Sequence, residues 1–480
     1  MHIVRSNSQH RHDWEVAVIG SGITGLAAAY RLRALVPGAE ITLVERDAYP
    51  GGKIVTERTN GFIIEGGADS FLSRKPRGIG LCEELGIIDR LQGRDPQHHK
   101  TYVKRHGRLH RLPEGLTGMI PTNLEALAES ALISPAGKAR LAQEPELPPA
   151  PENGDESIAS FVSRRLGREV YEQLVEPLMG GIYAGDGEQL SLAATFPQLR
   201  RLELKHGSLI EGLLASQQKE APSAGYPPFV AFRSGMQELV DRLLARLPDV
   251  TILTGVGVRA VQPEGTGYRL VLDNGQVRTA GALILTTPAF VTAKLVAGID
   301  PLLAEAHAAI PYASTATISL AYAESDLPQP LDGYGYVIPR VEDTDVLACT
   351  WTSSKWEGRA PKRYVLIRVY AGRYGRRDVL QGSDDELVAL ARTELKEMLD
   401  VKARPQFHRL YRWPRGMPQY TMGHLERLAQ IESRLHENPG LFLAGAAYRG
   451  VGIPDCIHSG EEAARAAASR LSEKSKWVHG

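Results

Sequence analysis

The chain has 480 residues, 43% of them hydrophobic, with 56 Lys and Arg against 56 Asp and Glu. That length exceeds one compact core and implies two or three domains. The balanced charge argues against nucleic acid or an acidic surface as partner, and no run of about 18 uncharged apolar residues is present to span a membrane. Three separated cysteines, Cys82, Cys349 and Cys456, point to a reducing compartment and argue against a disulfide framework or a zinc site, so no metal is expected. Residues 1–13 are polar, lack the apolar core of a signal peptide and read as a disordered tail. A cytoplasmic protein with at most peripheral membrane contact is expected. No repeat of fixed period is visible.

Residues 14–72 read as strand, glycine turn, helix, strand and acid, followed by a glycine-rich stretch. From about 92 to 206, helical spacing dominates, in 123–132, 157–166 and 169–179. It is interrupted by the Pro-rich, acidic segment 144–154, read as a mobile boundary. A strand at 229–232 and a helix at 236–247 come next, then short strands at 250–253, 256–261, 268–272, 277–279 and 282–286. Asp273-Asn274-Gly275 between two of them signals a hairpin. Strands continue at 315–322, 334–338, 346–351 and 364–371, then a helix at 385–398 and a strand around 407–412. At Leu441 the chain returns to the first domain and ends in a helix beginning near Ser459.

The first motif, Gly20-Ser-Gly22-Ile23-Thr24-Gly25, has a separate task for each glycine. Gly20 turns the chain out of the strand, Gly22 lets backbone approach a pyrophosphate, and Gly25 lets the helix pack closely on the sheet. The helix N-terminus then offers free N–H groups and the positive end of its dipole to phosphates. Glu45, about 20 residues on, can accept hydrogen bonds from both ribose hydroxyls and would repel a 2′-phosphate. The motif alone does not separate FAD from NAD. Two glycine-rich segments past the acid favour FAD: Gly51-Gly52-Lys53, then Gly66-Gly67-Ala68-Asp69-Ser70, with glycines suited to a flat ligand. At the far end, Val451-Gly452-Ile453 opens onto a helix and can direct N–H groups at the flavin N1–C2=O edge.

With the segments Glu176-Pro-Leu-Met-Gly-Gly181-Ile182-Tyr183-Ala-Gly185, Trp413 with Met417-Pro-Gln-Tyr420, and Gly450-Val-Gly-Ile-Pro-Asp-Cys456, the chain resembles the oxygen-dependent porphyrinogen oxidases of haem synthesis, within the wider monoamine-oxidase-like flavoproteins. The likeness is to the soluble Gram-positive type that takes protoporphyrinogen or coproporphyrinogen. It implies an α/β chain, α+β overall, with a Rossmann-like, discontinuous FAD domain (14–72, 228–290 and 408–480), an inserted β-sheet substrate domain (73–91 and 291–407) and a mostly helical domain (92–227) that touches membrane or forms a lid. It further implies FAD contacts at Gly20, Gly22, Ile23, Thr24, Gly25, Glu45, Arg46, Lys53, Gly67, Ala68, Asp69, Ser70, Val258, Trp413, Val451, Gly452 and Ile453. Family members often carry Gly-Pro-Asp-Ser where this chain has Gly67-Ala-Asp-Ser70, a change in stiffness rather than chemistry.

The expected reaction passes hydride from a bridging carbon of the porphyrinogen to flavin N5, with dioxygen returning hydrogen peroxide and the porphyrin handed to a ferrochelatase. Coproporphyrinogen III is favoured over protoporphyrinogen IX. Gly181 and Ile182 would line the slot, the Gly181 carbonyl accepting a pyrrole N–H, with Tyr183 beside them. Tyr370 would act as proton acceptor or oriented partner, and Arg74 and Lys75 would pair with propionates. The alternatives are an amine-oxidase or desaturase-like flavoenzyme, disfavoured by an aromatic content of 6%, and a noncatalytic FAD-bound scaffold.

Overall fold

The computed structural model describes residues 14–151, 154–217 and 225–478. The expected tail at 1–13 lies outside the described residues.

Hydrophobic strands bury both faces of a first sheet. Trp14–Ile19 runs parallel to Ile41–Val44 on one side and to Val277–Leu285 on the other. Thr251–Leu253 extends one edge, and Leu441–Leu443 pairs in parallel with the end of Val277–Leu285. Alternation along the first strand divides its side chains. Val16 and Val18 face a core shared with the helices Ile23–Leu35, Gln237–Ala245 and Ile453–Val478, whereas Ala17 and Ile19 face a core shared with Ala289–Val296, Pro301–Ala308 and His424–His436. The Asp273-Asn-Gly275 turn forms as expected, with Gly275 at φ +84° and its N–H donating to the Leu272 carbonyl. It joins Gly267–Leu272 to Val277–Leu285, one continuous strand where two were expected.

A second, mostly antiparallel sheet has the order Phe407–Pro418, Tyr312–Ala323, Tyr364–Ala371, Val346–Trp351, Gly333–Val337, Lys100–Arg105 and Arg108–Arg111. Its outer two strands come from the stretch expected to be helical, and Phe407–Pro418 reaches into the stretch assigned to the nucleotide domain. Short strands between polar turns carry too weak a period to reveal such partners. The helix Asp384–Leu399 covers one face through Leu387, Val388, Ala391 and Leu395.

The helical part packs around Leu132, Phe161, Leu166, Val170, Leu174 and Tyr420. Its segment Arg168–Tyr183 contains a π-helical stretch, Tyr171–Val175. The Pro-rich boundary is pinned rather than free over its described part. Glu144 is fully buried, pairs with buried Arg165, and accepts from Ser208 Oγ (2.5 Å) and Leu209 N (2.8 Å). The segment 115–121 turns Met119 and Ile120 into the core. Among the described residues no helix is long and apolar enough to cross a membrane.

Candidate active site

Two helix N-termini, one near each end of the chain, meet on the first sheet. Ile23–Leu35 packs along Ile453–Val478 so closely that a Cβ on Gly460 would lie 2.2 Å from the Thr24 carbonyl oxygen. The second helix starts at Ile453, not near Ser459, because Pro454 is tolerated in a first helical turn, where its missing N–H costs nothing. Gly452 N–H donates to Asp455 Oδ2 at 3.2 Å, capping that start.

The expected division of labour among the glycines holds physically. Gly20 has φ +101°, and a Cβ on Gly25 would lie 1.9 Å from the Gly20 carbonyl oxygen. At Gly22 the case differs. Its φ of −63° suits any residue, and no protein atom lies within 4 Å of where its Cβ would be. Neither backbone nor packing requires glycine there; a group lying against the helix N-terminus does. Gly51 N–H bonds to the Ser21 carbonyl at 2.9 Å and brings Gly52 and Lys53 alongside. A Cβ on Gly67 would lie 1.7 Å from the Lys53 carbonyl oxygen, so the strand leading to Ala68 must pass with no side chain. These positions fit an extended dinucleotide with a flat ring system.

Glu45 is committed more fully than expected. Its Oε2 accepts from Ser21 N and Oγ, both at 2.7 Å, and its Oε1 from Asp47 N at 2.9 Å. Of about four lone-pair sites on a carboxylate, one is left, so holding both ribose hydroxyls requires Ser21 to give way. Arg46 is exposed beside Gly257, and Val256 N–H bonds to the Glu45 carbonyl at 3.0 Å, which sets Val258 along the same edge. Lys53 is solvent-accessible, yet protein surrounds it and burial lowers its pKa, and its Nζ donates to the Gly416 carbonyl. Trp413 braces the flavin segment, its Nε1 donating to the Gly66 carbonyl at 3.0 Å.

The Asp69 carboxylate is held by protein donors. It accepts from Lys355 Nζ (2.8 Å), Trp356 Nε1 (3.2 Å) and Ser70 Oγ (2.8 Å), and Lys355 and Arg368 hold its pKa well below the usual range although burial opposes them. These three donors leave the carboxylate about one acceptor site, beside the residue's backbone. Lys75 is spoken for as well, its ammonium ion-paired with Asp455 at the start of the second helix. It supports the flavin end instead of offering a free cation to a propionate. Arg74 is exposed and makes no hydrogen bond or ion pair with a described residue.

Of the residues expected to line the slot, Gly181 and Ile182 are exposed on the last turn of Glu176–Tyr183; a Cβ on Gly181 would meet nothing within 4 Å, and Ile182 is 43% accessible. Tyr183 points the other way. It is buried edge-on to Phe196, with centroids 6.0 Å apart, and leans on Tyr420, so its side chain is core and not slot. Tyr370 packs with Ala184, one residue along the chain from Tyr183, and with Leu347 and Met417.

Several supporting residues gave no signal in isolation. Arg368, two residues before Tyr370 and so on the same strand face, is buried, donates to the Gly66 and Gly67 carbonyls, and lies 4.7 Å from the Tyr370 ring centroid. Thr317 Oγ1 donates to the Gly66 carbonyl at 2.9 Å. Tyr420 OH donates to the Ala446 carbonyl (2.6 Å) and accepts from Gly450 N (2.8 Å), fixing the turn before the second helix. The period-2 pattern of 364–371 was the available clue for Arg368.

The family described as flavin-containing amine oxidoreductase matches residues 23–468. The chain belongs to that family. Within it, the chain is 36% identical over 469 residues to coproporphyrinogen III oxidase of Bacillus subtilis, covering 95% of this chain and 98% of that one. It is 35% identical to coproporphyrinogen III oxidase of Staphylococcus aureus, covering 95% and 99%. A crystal structure from Exiguobacterium sp. 255-15, provisionally described as a protoporphyrinogen oxidase, superposes with a TM-score of 0.85 at 31% identity over 95% of this chain and 99% of that one. The expected α/β flavoprotein fold is thereby established.

Proposed function

We propose that the protein oxidises a porphyrinogen to a porphyrin with FAD as cofactor, and that coproporphyrinogen III is the preferred substrate. The near-full-length likeness to coproporphyrinogen III oxidases carries the reading. FAD, when bound, accepts a hydride pair of electrons and passes them to dioxygen. Conversion of porphyrinogen to porphyrin removes six electrons and six protons, so three dioxygen molecules become three hydrogen peroxide.

The chain's contribution is placement and exclusion of water. The N-termini at Ile23 and Ile453 favour negative charge, the first on phosphates and the second on the ring system. Gly181 and Ile182 offer a backbone carbonyl and an apolar face to the macrocycle. Tyr370, with Arg368 against its ring, packs with Ala184 just after them. Protons leave to solvent. A cytoplasmic setting and handover of the product to a ferrochelatase complete the reading.

Porphyrin fluorescence and dioxygen uptake, measured with coproporphyrinogen III and protoporphyrinogen IX separately, test it. The expected result is a higher kcat/KM for coproporphyrinogen III, with one peroxide per dioxygen. No turnover of either by the FAD-loaded protein would overturn the reading.

A further inference from the structure

Arg94 comes directly after the short strand Leu91–Gly93 in the three-stranded sheet formed with Phe71–Leu72 and Phe229–Phe232. The register Val230↔Gly93 brings it level with Phe229, whose other cross-strand neighbour is Leu72. Its guanidinium carbon lies 5.0 Å from the Phe229 ring centroid and 4.6 Å from that of Tyr334. Tyr334 belongs to the large sheet, and its hydroxyl donates to the Asp95 carbonyl at 2.9 Å, which fixes that ring. Rings from two sheets therefore hold the guanidinium in place.

Ring faces attract the charge but take no N–H hydrogen bonds in the guanidinium plane. Among the described residues Arg94 donates no hydrogen bond and has no carboxylate at ion-pair distance. Asp69, which it senses electrostatically, is already held by Lys355. Burial disfavours its charge, and the protein supplies no anion in contact to offset that cost. The buried arginines 165 and 373, by contrast, each meet a glutamate. Arg74, also without a described partner, comes two residues after Leu72, on the other side of Phe229. Arg94 thus sits against the Phe229 ring, and Arg74 lies two residues beyond Phe229's partner on the neighbouring strand.

We propose that Arg94 is a binding residue for a carboxylate arm of the substrate, gripping it through its in-plane N–H edge, with Arg74 as a second and looser anchor. The inference rests on the porphyrinogen reading and deepens it, because it names the group that recognises the acidic arms. A held planar fork suits bidentate capture of a carboxylate, and little side-chain freedom is left to lose on binding.

The test is equilibrium binding of product to the FAD-loaded protein, followed by porphyrin fluorescence quenching. Coproporphyrin III is compared with its neutral tetraamide on wild type, Arg94→Gln and Arg94→Lys. The expected result is roughly tenfold or greater weakening of the tetracarboxylate by Arg94→Gln, a smaller loss in Arg94→Lys, and no more than about a twofold change for the tetraamide. Unchanged affinity of Arg94→Gln for coproporphyrin III overturns the proposal, as does an equal loss for the tetraamide, which would mean ring packing. If Arg94→Gln does not fold, wild-type affinity in Arg94→Lys overturns it, since an ammonium cannot reproduce the fork. A wild type that binds neither ligand overturns the porphyrinogen reading, and this inference with it.

Discussion

Replacing Arg373 by Met should reveal how the helix carrying Gly181 and Ile182 is tied to the strand carrying Tyr370. Arg373 and Glu176 are both almost fully buried, with Nη1 3.2 Å from Oε1. Arg373 Nη2 also serves the Ile338 carbonyl. Glu176 begins the helix that carries Gly181 and Ile182 on its last turn, and Arg373 comes three residues after Tyr370, so this pair ties that helix to the end of the Tyr364–Ala371 strand. Met replaces the stem but leaves Glu176 with the Arg340 N–H at 2.8 Å and only the charge of Arg340 nearby. Breaking a buried pair from one side costs about 3–5 kcal/mol. Burial already raises the Glu176 pKa, with Arg373 opposing the rise, and losing Arg373 raises it further. A carboxyl whose folded pKa lies above its unfolded value stabilises the fold fully below the unfolded value near 4.3, and that stability is lost as pH rises through the folded value. The deficit should therefore be smaller at about pH 5 than at about pH 8. Urea unfolding followed by tryptophan fluorescence, with flavin release as a second signal, measures both. Glu176→Gln combined with Arg373→Met should recover half the loss or more, since no unpaired charge remains. A single-variant loss below about 1 kcal/mol, or a double variant no better than the single, would refute the reasoning.

Gly22→Ala should leave apo-protein unfolding within about 0.5 kcal/mol of wild type, because its Cβ meets no protein atom. It should weaken FAD binding at least about tenfold by fluorescence titration. Gly25→Ala should do the reverse in character, failing to fold normally in circular dichroism with or without FAD, because its Cβ would sit 1.9 Å from a carbonyl oxygen. His424 is buried, stacked on Tyr420 at 4.3 Å, with Nε2 at 2.9 Å from the Tyr448 carbonyl, and burial pushes its pKa down to about 4. A depressed histidine means the unfolded chain binds the proton more readily, so stability falls as pH drops from about 6.5 toward about 4, by about 3 kcal/mol in total. His424→Gln should flatten that part of the stability profile, and a profile as steep as wild type would refute the assignment.

The cofactor end was legible because its chemistry is local. Gly20, Gly25 and Gly67 act through close backbone approach and Glu45 through a local carboxylate bridge, which short segments announce. The substrate end was not, because there function depends on which strands meet. Lys100–Arg105 looked like part of a helical span since its sheet partner, Gly333–Val337, lies some 230 residues away. Lys75 read as a free cation because Asp455, its partner, is 380 residues distant. Tyr183 was placed in the slot beside Gly181 and Ile182, but the helix turns successive side chains by about 100° and carries it into the core. Glu144 sat in a segment of loop composition, and only the fold reveals Arg165 beneath it.

The parallel partner of Trp14–Ile19 is Val277–Leu285, and the helix lying along Ile23–Leu35 begins at Ile453. During synthesis, then, the glycine turn emerges from the ribosome long before the strand and helix that complete its surroundings. The nascent chain must carry an apolar first strand without its neighbour until more than half the protein has been made, a period of exposure in which chaperones have a natural substrate. If FAD spans both helix ends, it binds only once the last helix has docked, and a polypeptide truncated before Ile453 is expected not to become yellow.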